Sequence, residues 1–295
     1  MTVIGILGPT ASGKSRVSEA IAHRIPSELV SADAMQVYVG LPVLTNQSPA
    51  RLTAIWALDH EASVGAYAPL AHAAIDEILA AGKTPVVVGG TGLYLRAALA
   101  ELDLPPAPVE GARERWEAFY DAQGAEAAHG RLEAVDPAAA AGINPNDRRR
   151  VVRALELAEA GSSLAPERDR LWAEETRHPT LLVGLDVPPH VLEARIVART
   201  RAMFDQGVEE EVERALAGPI SVTARKTIGL DEISGLPRAE AIEALVVRTR
   251  RYAAYQRKWM RRVPGLVMVD ADRPEGEIAD DIVDLARARE RLPRR

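Results

Sequence analysis

The chain has 295 residues and a formal net charge of −6, with 47% hydrophobic and 26% charged residues. This composition supplies enough apolar material for a core and excludes disorder along the whole chain. The absence of cysteine excludes disulfides, thiolate zinc sites and cysteine nucleophiles, and the acidic balance limits any nucleic-acid contact to a local surface.

Targeting and membrane signals are absent from the sequence. No apolar run reaches the roughly 20 residues that a membrane-spanning helix requires. The apolar start lacks the basic segment of a secretion signal, and a glycine-rich stretch follows it at once. The six histidines have no spacing typical of a metal site. We therefore expect a mature N-terminus and a cytoplasmic protein that does not contact a membrane.

The first ninety residues alternate between short apolar runs and helical patterns. β-branched and aliphatic runs predict strands at 3–7, 28–31 and 84–88. Helical spacing predicts helices at 15–24 and 67–81, with Gly82 just beyond the second one. The irregular stretch 41–60 predicts a loop. This alternation is typical of a parallel sheet covered on both faces.

The rhythm changes after a proline-rich stretch at 105–108, which predicts a domain border. From there to about residue 179 the sequence predicts only helices, at 113–122, 125–134 and 146–160. Strands are then predicted at 180–185 and 266–269. The remaining predicted helices are 191–206, 208–216, 238–262 and 276–289.

A glycine-rich motif lies between the first predicted strand and the first predicted helix, with the spacing G-x-x-x-x-G-K-[ST]. Such a turn directs backbone N–H groups at phosphate oxygens, and the next helix adds its positive end. Lys14 supplies a full charge, and Ser15 offers an oxygen to Mg²⁺. The motif predicts di- or triphosphate binding but leaves open which bond is broken. The predicted phosphate-binding residues are Gly8, Pro9, Thr10, Ala11, Ser12, Gly13, Lys14 and Ser15.

Together, the elements and this motif predict an α/β fold with a P-loop NTPase-like, doubly wound parallel sheet. Residues 1–107 and 180–295 would form this catalytic core. Residues 108–179 would form an all-helical insert domain.

Two further turns follow predicted strands. Asp33 ends the second strand, where ligands gather in open α/β sheets. It is either the cap of a helical turn or a functional group, such as a general base or a metal ligand. Gln36 could read a base edge. The glycine turn at 89–92, which contains Thr91, is either a plain strand-to-helix connection or a place of close ligand approach.

Three basic clusters stand out from the acidic average. They comprise 148–150 with Arg153, then Arg195 with Arg199 and Arg201, and finally 248–262, which has seven cations and no acid. Within the first two clusters, arginines four residues apart share a helix face. Each cluster is either a solvated helix face or a contact for a polyanion, and their number in an acidic chain favours the polyanion.

Taken in order, five motifs resemble those of the tRNA dimethylallyltransferase family, the bacterial tRNA isopentenyltransferases. The resemblance covers nearly the whole chain, and the stretches at 33–36 and 144–147 distinguish it from ordinary P-loop kinases. It implies transfer of a dimethylallyl group from dimethylallyl diphosphate to the exocyclic N6 of adenosine 37 in tRNA, with diphosphate released. The matching motifs are residues 8–15, 31–38, 88–94, 143–150 and 199–204.

The resemblance also implies roles for individual residues. Asp33 matches the general base, Thr91 a contact near the leaving oxygen, and Arg199 a cation on the diphosphate. The phosphate loop would hold this diphosphate rather than a nucleotide, with Mg²⁺ at Ser15, and the insert would grip the anticodon stem. The implied tRNA-binding residues are Asp33, Ala34, Met35, Gln36, Thr91, Arg113, Arg149, Arg150 and Arg153.

The chain departs from the family pattern at Val39, at 44–47 and at 230–231, so no contacts are carried over to these positions. Three other functions remain open: a small-molecule kinase that uses ATP, a nucleotide-dependent RNA-binding switch, and a prenyltransferase that accepts AMP. The large insert argues against the last, because a mononucleotide needs no grip on a stem. We expect a monomer whose partners are the tRNA anticodon stem-loop and dimethylallyl diphosphate.

Overall fold

The computed structural model describes residues 1–102, 106, 109–165 and 173–290. Internal contacts divide the chain into an α/β unit, Met1–Glu101 with Leu171–Arg295, and a helical unit, Leu102–Arg170. The sequence predicted the helical insert at 108–179, whereas the helical unit defined by contacts is Leu102–Arg170. Apart from residue 106, its predicted border at 105–108 lies outside the described residues.

One parallel sheet forms the centre of the α/β unit. Its strands are β1 (Val3–Leu7), β2 (Ser27–Ser31), β3 (Thr84–Gly89), β4 (Thr180–Asp186) and β5 (Val267–Asp270). They lie in the order β2-β3-β1-β4-β5, and every neighbouring pair is parallel. In the central register, Ile6 lies between Val88 of β3 and Val183 of β4. The prediction of an α/β fold with a parallel sheet is confirmed.

Numbered along the described chain, the helices follow the prediction closely, with short additions. They are α1 (Lys14–Ala22), α2 (Val64–Ala80), α3 (Gly92–Leu99), α4 (Ala112–Gln123), α5 (Ala125–Val135), α6 (Pro137–Ala141), α7 (Arg148–Glu159), α8 (Pro189–Asp205), α9 (Val208–Leu216), α10 (Val222–Arg225), α11 (Leu230–Gly235), α12 (Arg238–Met260) and α13 (Glu275–Glu290). None of these described helices is both long and apolar enough to cross a bilayer.

The sequence analysis did not delimit the short helices α3, α6, α10 and α11. Elements of four to eight residues are too short to show a helical period. Local caps mark two of them instead. The Asp136 side chain accepts a hydrogen bond from Ala139 N–H at the start of α6, and the Ser221 side chain accepts one from Ala224 N–H at α10.

β1 is buried along its whole length and contributes to two cores. Val3 and Leu7 pack with α2 and α3, whereas Ile4 and Ile6 pack with α1 and α13. Successive side chains of a strand point to opposite faces, so a strand covered on both faces must be apolar throughout. Helices therefore lie on both faces of the sheet, and the carboxyl ends of its strands remain for a site.

The helical unit has its own apolar core, which Leu132, Val151 and Leu155 help to form. A buried charge lies beside it, because the Glu156 side chain is 0% exposed. Its carboxylate accepts hydrogen bonds from Arg113 Nε at 2.8 Å and from Arg153 Nη1 at 2.9 Å. Burial raises the pKa of Glu156, but the bonds from the two arginines outweigh it, and the net pKa is lowered.

Glu156→Gln should destabilise the helical unit near neutral pH by about 1–3 kcal/mol, because both guanidinium groups lose a charged partner. Since the folded-state pKa of Glu156 is lowered, its stabilisation is present above the unfolded-state pKa and is lost as pH falls through the folded-state value. Urea unfolding at neutral and acid pH measures this difference, with the exposed Glu133→Gln as control. An equal loss at both pH values would contradict the argument.

Candidate active site

A cavity of about 420 Å³ lies in the α/β unit beyond the ends of β1 and β2. Lys14 lines it from the start of α1, directly after the turn that follows β1, and Asp33 lines it from the turn after β2. Arg199 of α8 and Tyr252 of α12 are among the other polar residues of the lining. Because parallel strands end at the same edge, two turns far apart in sequence face one crevice.

The phosphate loop, residues 8–15, runs from the end of β1 into the first turn of α1 and curls at Ala11 and at the second glycine of the motif, Gly13. Ala11 (φ 63°) and Gly13 (φ 93°) adopt the left-handed conformation, whereas Gly8 does not. Gly8 is needed for space, since a Cβ there would lie 2.6 Å from Ser12 Oγ. Left-handed residues of this kind turn successive N–H groups toward one side, which favours an anion.

Lys14 folds back onto its own loop. Its Nζ donates hydrogen bonds to the carbonyl oxygens of Gly8 and Pro9, each at 2.8 Å. Burial lowers the pKa of Lys14 to about 8, while the charge of Asp33 raises it and that of Arg199 lowers it further. The ammonium form therefore prevails only below about pH 8, and a bound anion would raise the pKa of Lys14 again.

Arg199 supplies another cation of the cavity, whose lining also includes Arg16 and Arg195. Its Nη1 donates a hydrogen bond to Thr10 Oγ1 at 2.9 Å. Its Nε is buried and has no hydrogen-bond partner within the part of the chain that the structure describes. Burial lowers the pKa of Arg199, and the charge of Asp33 opposes this. A buried donor without a partner beside a phosphate loop favours an anionic ligand.

Asp33 shapes its turn and also lines the cavity, so it is compatible with both interpretations that the sequence left open. Its Oδ1 accepts the N–H of Met35 at 2.9 Å, which shapes the turn. The same carboxylate lines the cavity, and its charge influences Lys14 and Arg199. The group is thus held by the backbone and also placed where it can accept a proton.

The residues after Asp33 are only partly free to contact a ligand. Ala34 packs against the sheet core, while Met35 and Gln36 line the cavity. Gln36 Nε2 donates to the carbonyl oxygens of Thr45 and Asn46 at 3.2 and 3.0 Å. Reading a base through these N–H groups therefore requires the loop that contains Thr45 to move.

A buried glutamate holds this loop from the other side. Glu211 of α9 is 3% exposed, and its carboxylate accepts the N–H groups of Val43 and Leu44 at 2.9 and 2.8 Å. The sequence analysis did not identify Glu211. The sequence around Glu211 does not distinguish it, because acidic residues are common in the first turn of a helix and Glu211 is one of three there.

The third glycine turn packs against α12. A Cβ on Gly90 would lie 2.2 Å from Gln256 Nε2, and one on Gly92 would lie 2.3 Å from Trp259. Close packing against α12, which is neither of the two interpretations left open, accounts for Gly90 and Gly92. Thr91 itself approaches the site through Tyr252, since their hydroxyl oxygens are 3.2 Å apart.

The residues of the third basic cluster have two kinds of surroundings on α12. Arg248, Arg250 and Arg257 form ion pairs with glutamate or aspartate side chains. Tyr252 and Gln256, four residues apart, face the cavity instead. Burial raises the pKa of Tyr252, and the charge of Asp33 raises it further. Tyr252 and Gln256 are uncharged residues spaced i, i+4 inside a basic run, and this spacing is the sequence feature that could have indicated them.

In the helical unit, the predicted tRNA contacts differ in their surroundings. Arg149 and Arg150 are exposed in the first turn of α7. No ion pair of either is recorded among the described residues. Arg113 and Arg153 are both bound to Glu156. The exposed pair is therefore better placed to meet a new anion.

The donor set suits Mg²⁺ only together with a substrate. Ser15 lines the cavity at the first turn of α1, and the Asp33 carboxylate lines the same cavity. Among the described residues, no group of three or more acidic or histidine side chains could hold a metal alone. Mg²⁺ typically binds one or two protein oxygens together with substrate phosphates and water, so these residues fit the ion.

The fold and site define a parallel α/β protein whose phosphate-loop motif and carboxylate face one cavity. The sequence model of the IPP transferase family matches residues 36–263. The chain belongs to this family, which confirms the resemblance seen in its motifs.

Relatives named tRNA dimethylallyltransferase match most of the chain. The protein from Anaeromyxobacter dehalogenans is 41% identical over 284 residues, covering 91% of this chain and 95% of the relative. The protein from Corynebacterium jeikeium is 38% identical over 288 residues, covering 92% of each chain.

Solved structures agree with this assignment. The full-length tRNA isopentenylpyrophosphate transferase from Bacillus halodurans is 30% identical, with a TM-score of 0.70 over 99% of this chain and 98% of that chain. A eukaryotic dimethylallyltransferase acting on tRNA has a TM-score of 0.80 over 100% of this chain and 81% of that chain. At 23% identity, it supports the fold alone.

Proposed function

We propose that the chain transfers a dimethylallyl group from dimethylallyl diphosphate to the N6 of adenosine 37 in tRNA and releases diphosphate. The observation that carries this proposal is one cavity in which a carboxylate, Asp33, lies with two cations, Lys14 and Arg199. The names of the relatives from Anaeromyxobacter dehalogenans and Corynebacterium jeikeium support it.

The phosphate loop and its cations stabilise the leaving group. As the allylic C–O bond breaks, negative charge grows on the departing diphosphate. Lys14 exchanges its bonds to Gly8 and Pro9 for bonds to the diphosphate. Arg199 Nε, which has no hydrogen-bond partner among the described residues, gains one. Donors already placed where charge develops lower the energy of the transition state.

Asp33 accepts the proton of the attacking amine. The adenine leaves its stack to enter the cavity, as bases do in enzymes that modify them. The exocyclic nitrogen forms its bond to the allylic carbon and gives up a proton to the carboxylate of Asp33. The Met35 N–H holds this carboxylate in place through Oδ1.

Mg²⁺ is part of the proposal, with Ser15 as the residue that would hold it. When bound, the ion would neutralise charge on the diphosphate. We also propose that the protein acts in the cytoplasm as a monomer.

The helical unit would grip the anticodon stem through Arg149 and Arg150. Removing both with Arg149→Ala and Arg150→Ala should weaken tRNA binding and lower the slope of log K against log salt by about two at most. Fluorescence anisotropy of labelled tRNA at several salt concentrations measures this slope. Arg214→Ala with Arg289→Ala removes the same charge from exposed positions of the α/β unit and should leave the slope unchanged. An unchanged slope for the first pair would contradict the grip.

The activity itself is tested by incubating the protein with Mg²⁺, radiolabelled dimethylallyl diphosphate and unmodified tRNA. ATP and AMP serve as rival substrates in parallel reactions. Label in tRNA at adenosine 37 supports the proposal. Label in AMP but not in tRNA would overturn it, and phosphate transfer from ATP to a small acceptor would indicate a kinase.

A further inference from the structure

Gln256 is a buried amide that lies between two loops of the site. It is 3% exposed and stands in the α12 segment that is otherwise rich in cations. Its Oε1 accepts the N–H of Thr10 at 2.7 Å, and its Nε2 donates to the carbonyl oxygen of Gly90 at 2.9 Å. One side chain thus satisfies backbone groups of the turns that follow β1 and β3.

Both of these turns contain site residues. Thr10 belongs to the phosphate loop, and its hydroxyl accepts the hydrogen bond from Arg199. Gly90 precedes Thr91, whose hydroxyl contacts Tyr252, one helical turn before Gln256. Gly90 leaves the space that the amide needs, because a Cβ there would lie 2.2 Å from Nε2.

The bond to Thr10 also affects the anion cradle. Because the Thr10 N–H donates to Gln256, it does not point at a ligand. It is therefore not one of the loop N–H groups that could bind phosphate oxygens. This hydrogen bond instead fixes the position of the phosphate loop relative to Thr91. Buried polar groups that are fully paired hold a local geometry firmly.

We propose that Gln256 is a positioning residue that sets the distance between the phosphate loop and the Thr91 turn. It acts through Thr10 and Gly90 rather than on the reacting atoms. The inference rests on the proposed prenyl transfer and deepens it. It explains why this uncharged residue stands inside the basic stretch 248–262 of the sequence.

Gln256→Ala removes both bonds and lets the two turns move independently. We expect kcat to fall by about tenfold or more, since two buried backbone groups lose their partner. The Kd for tRNA should stay within about twofold, because loss of a transition-state alignment lowers kcat rather than ground-state binding. Amide hydrogen exchange in the peptide that contains Thr10 should become faster.

Gly90→Ala disturbs the same contact from the other side, because its methyl group displaces the Gln256 amide. If the two residues act through one contact, the double variant should lose no more kcat than the single variant with the lower kcat. Tyr255→Ala is the matched control, since Tyr255 is 57% exposed on the same helix. It should change neither kcat nor exchange at Thr10.

The outcomes separate this inference from the proposed activity. Unmodified tRNA left unlabelled by the wild-type protein would refute the prenyl transfer, while faster exchange at Thr10 in Gln256→Ala would still support the link between the turns. Unchanged exchange, or fully additive losses of kcat, would overturn the positioning role. A lowered melting temperature with unchanged kcat would show a structural role alone and would also overturn it.

Discussion

Asp33→Asn should lose turnover by about 10²–10⁴-fold, the usual contribution of a positioned general base. The substitution retains an oxygen that can accept the Met35 N–H, so the turn should keep its shape. It removes the only function that the mechanism requires of this side chain, which is to accept the proton of the attacking amine. Single-turnover rates with saturating tRNA and donor measure the loss.

The affinity for tRNA provides the internal check on this result. Asp33→Asn should leave the Kd for tRNA within a few-fold of wild type, because the base acts in the chemical step. Asp59→Asn, an exposed aspartate in the 41–60 loop, is the matched control and should retain both turnover and affinity. A large loss of affinity with intact turnover would contradict the role of Asp33 as the base.

Lys14→Met should lower kcat/KM for the donor by about 10²–10³-fold, the range found when one donor to a developing charge is removed. Methionine keeps an unbranched chain of similar length but cannot bond to the carbonyl oxygens of Gly8 and Pro9. Steady-state kinetics with varied donor concentration measure the effect. The exposed Lys258→Met should behave as wild type. Equal kcat/KM in Lys14→Met and wild type would exclude Lys14 from the diphosphate site.

The pKa of Lys14 adds a pH dependence to this prediction. In the free protein the pKa is about 8, so the ammonium form prevails below that pH and the neutral amine above it. Since only the ammonium form attracts an anion, affinity for inorganic pyrophosphate should fall as pH rises through about 8. In calorimetric titrations, the affinity of Lys14→Met for pyrophosphate should lack this fall with rising pH. In Asp33→Asn, the fall in affinity should occur at lower pH, because the charge of Asp33 raises the pKa of Lys14.

Much of the fold followed from local patterns. The apolar run at Val3–Leu7 predicted a strand with the observed bounds, because a strand buried on both faces needs continuous apolar side chains. Gly82, with φ 72°, follows α2 as expected of a residue just beyond a helix. Helix ends were less accurate. The Ser63 side chain caps α2 at Ala66 N–H, so the helix begins at Val64 and not at residue 67.

The candidate site followed from sequence only where a motif is contiguous. The phosphate loop and the Asp33 turn each occupy a few consecutive residues, so residue type and spacing could predict a phosphate-binding motif and a candidate functional carboxylate. Glu211, Tyr252 and Gln256 lie at least 161 residues from the groups that they bind, so no contiguous motif shows these contacts. Their residue types are also ordinary for a helix.

The sequence by itself determined that this chain forms a parallel α/β sheet with a phosphate-binding motif, and its motifs identified the family. Only the tertiary structure decided which arginines are free to meet an anion, that α12 accounts for the third glycine turn, and that Gln256 joins two turns of the site. The reason is physical. Strand and turn formation depend on neighbours within a few residues, whereas pairing of charges and packing of a helix on a glycine depend on elements brought together by folding.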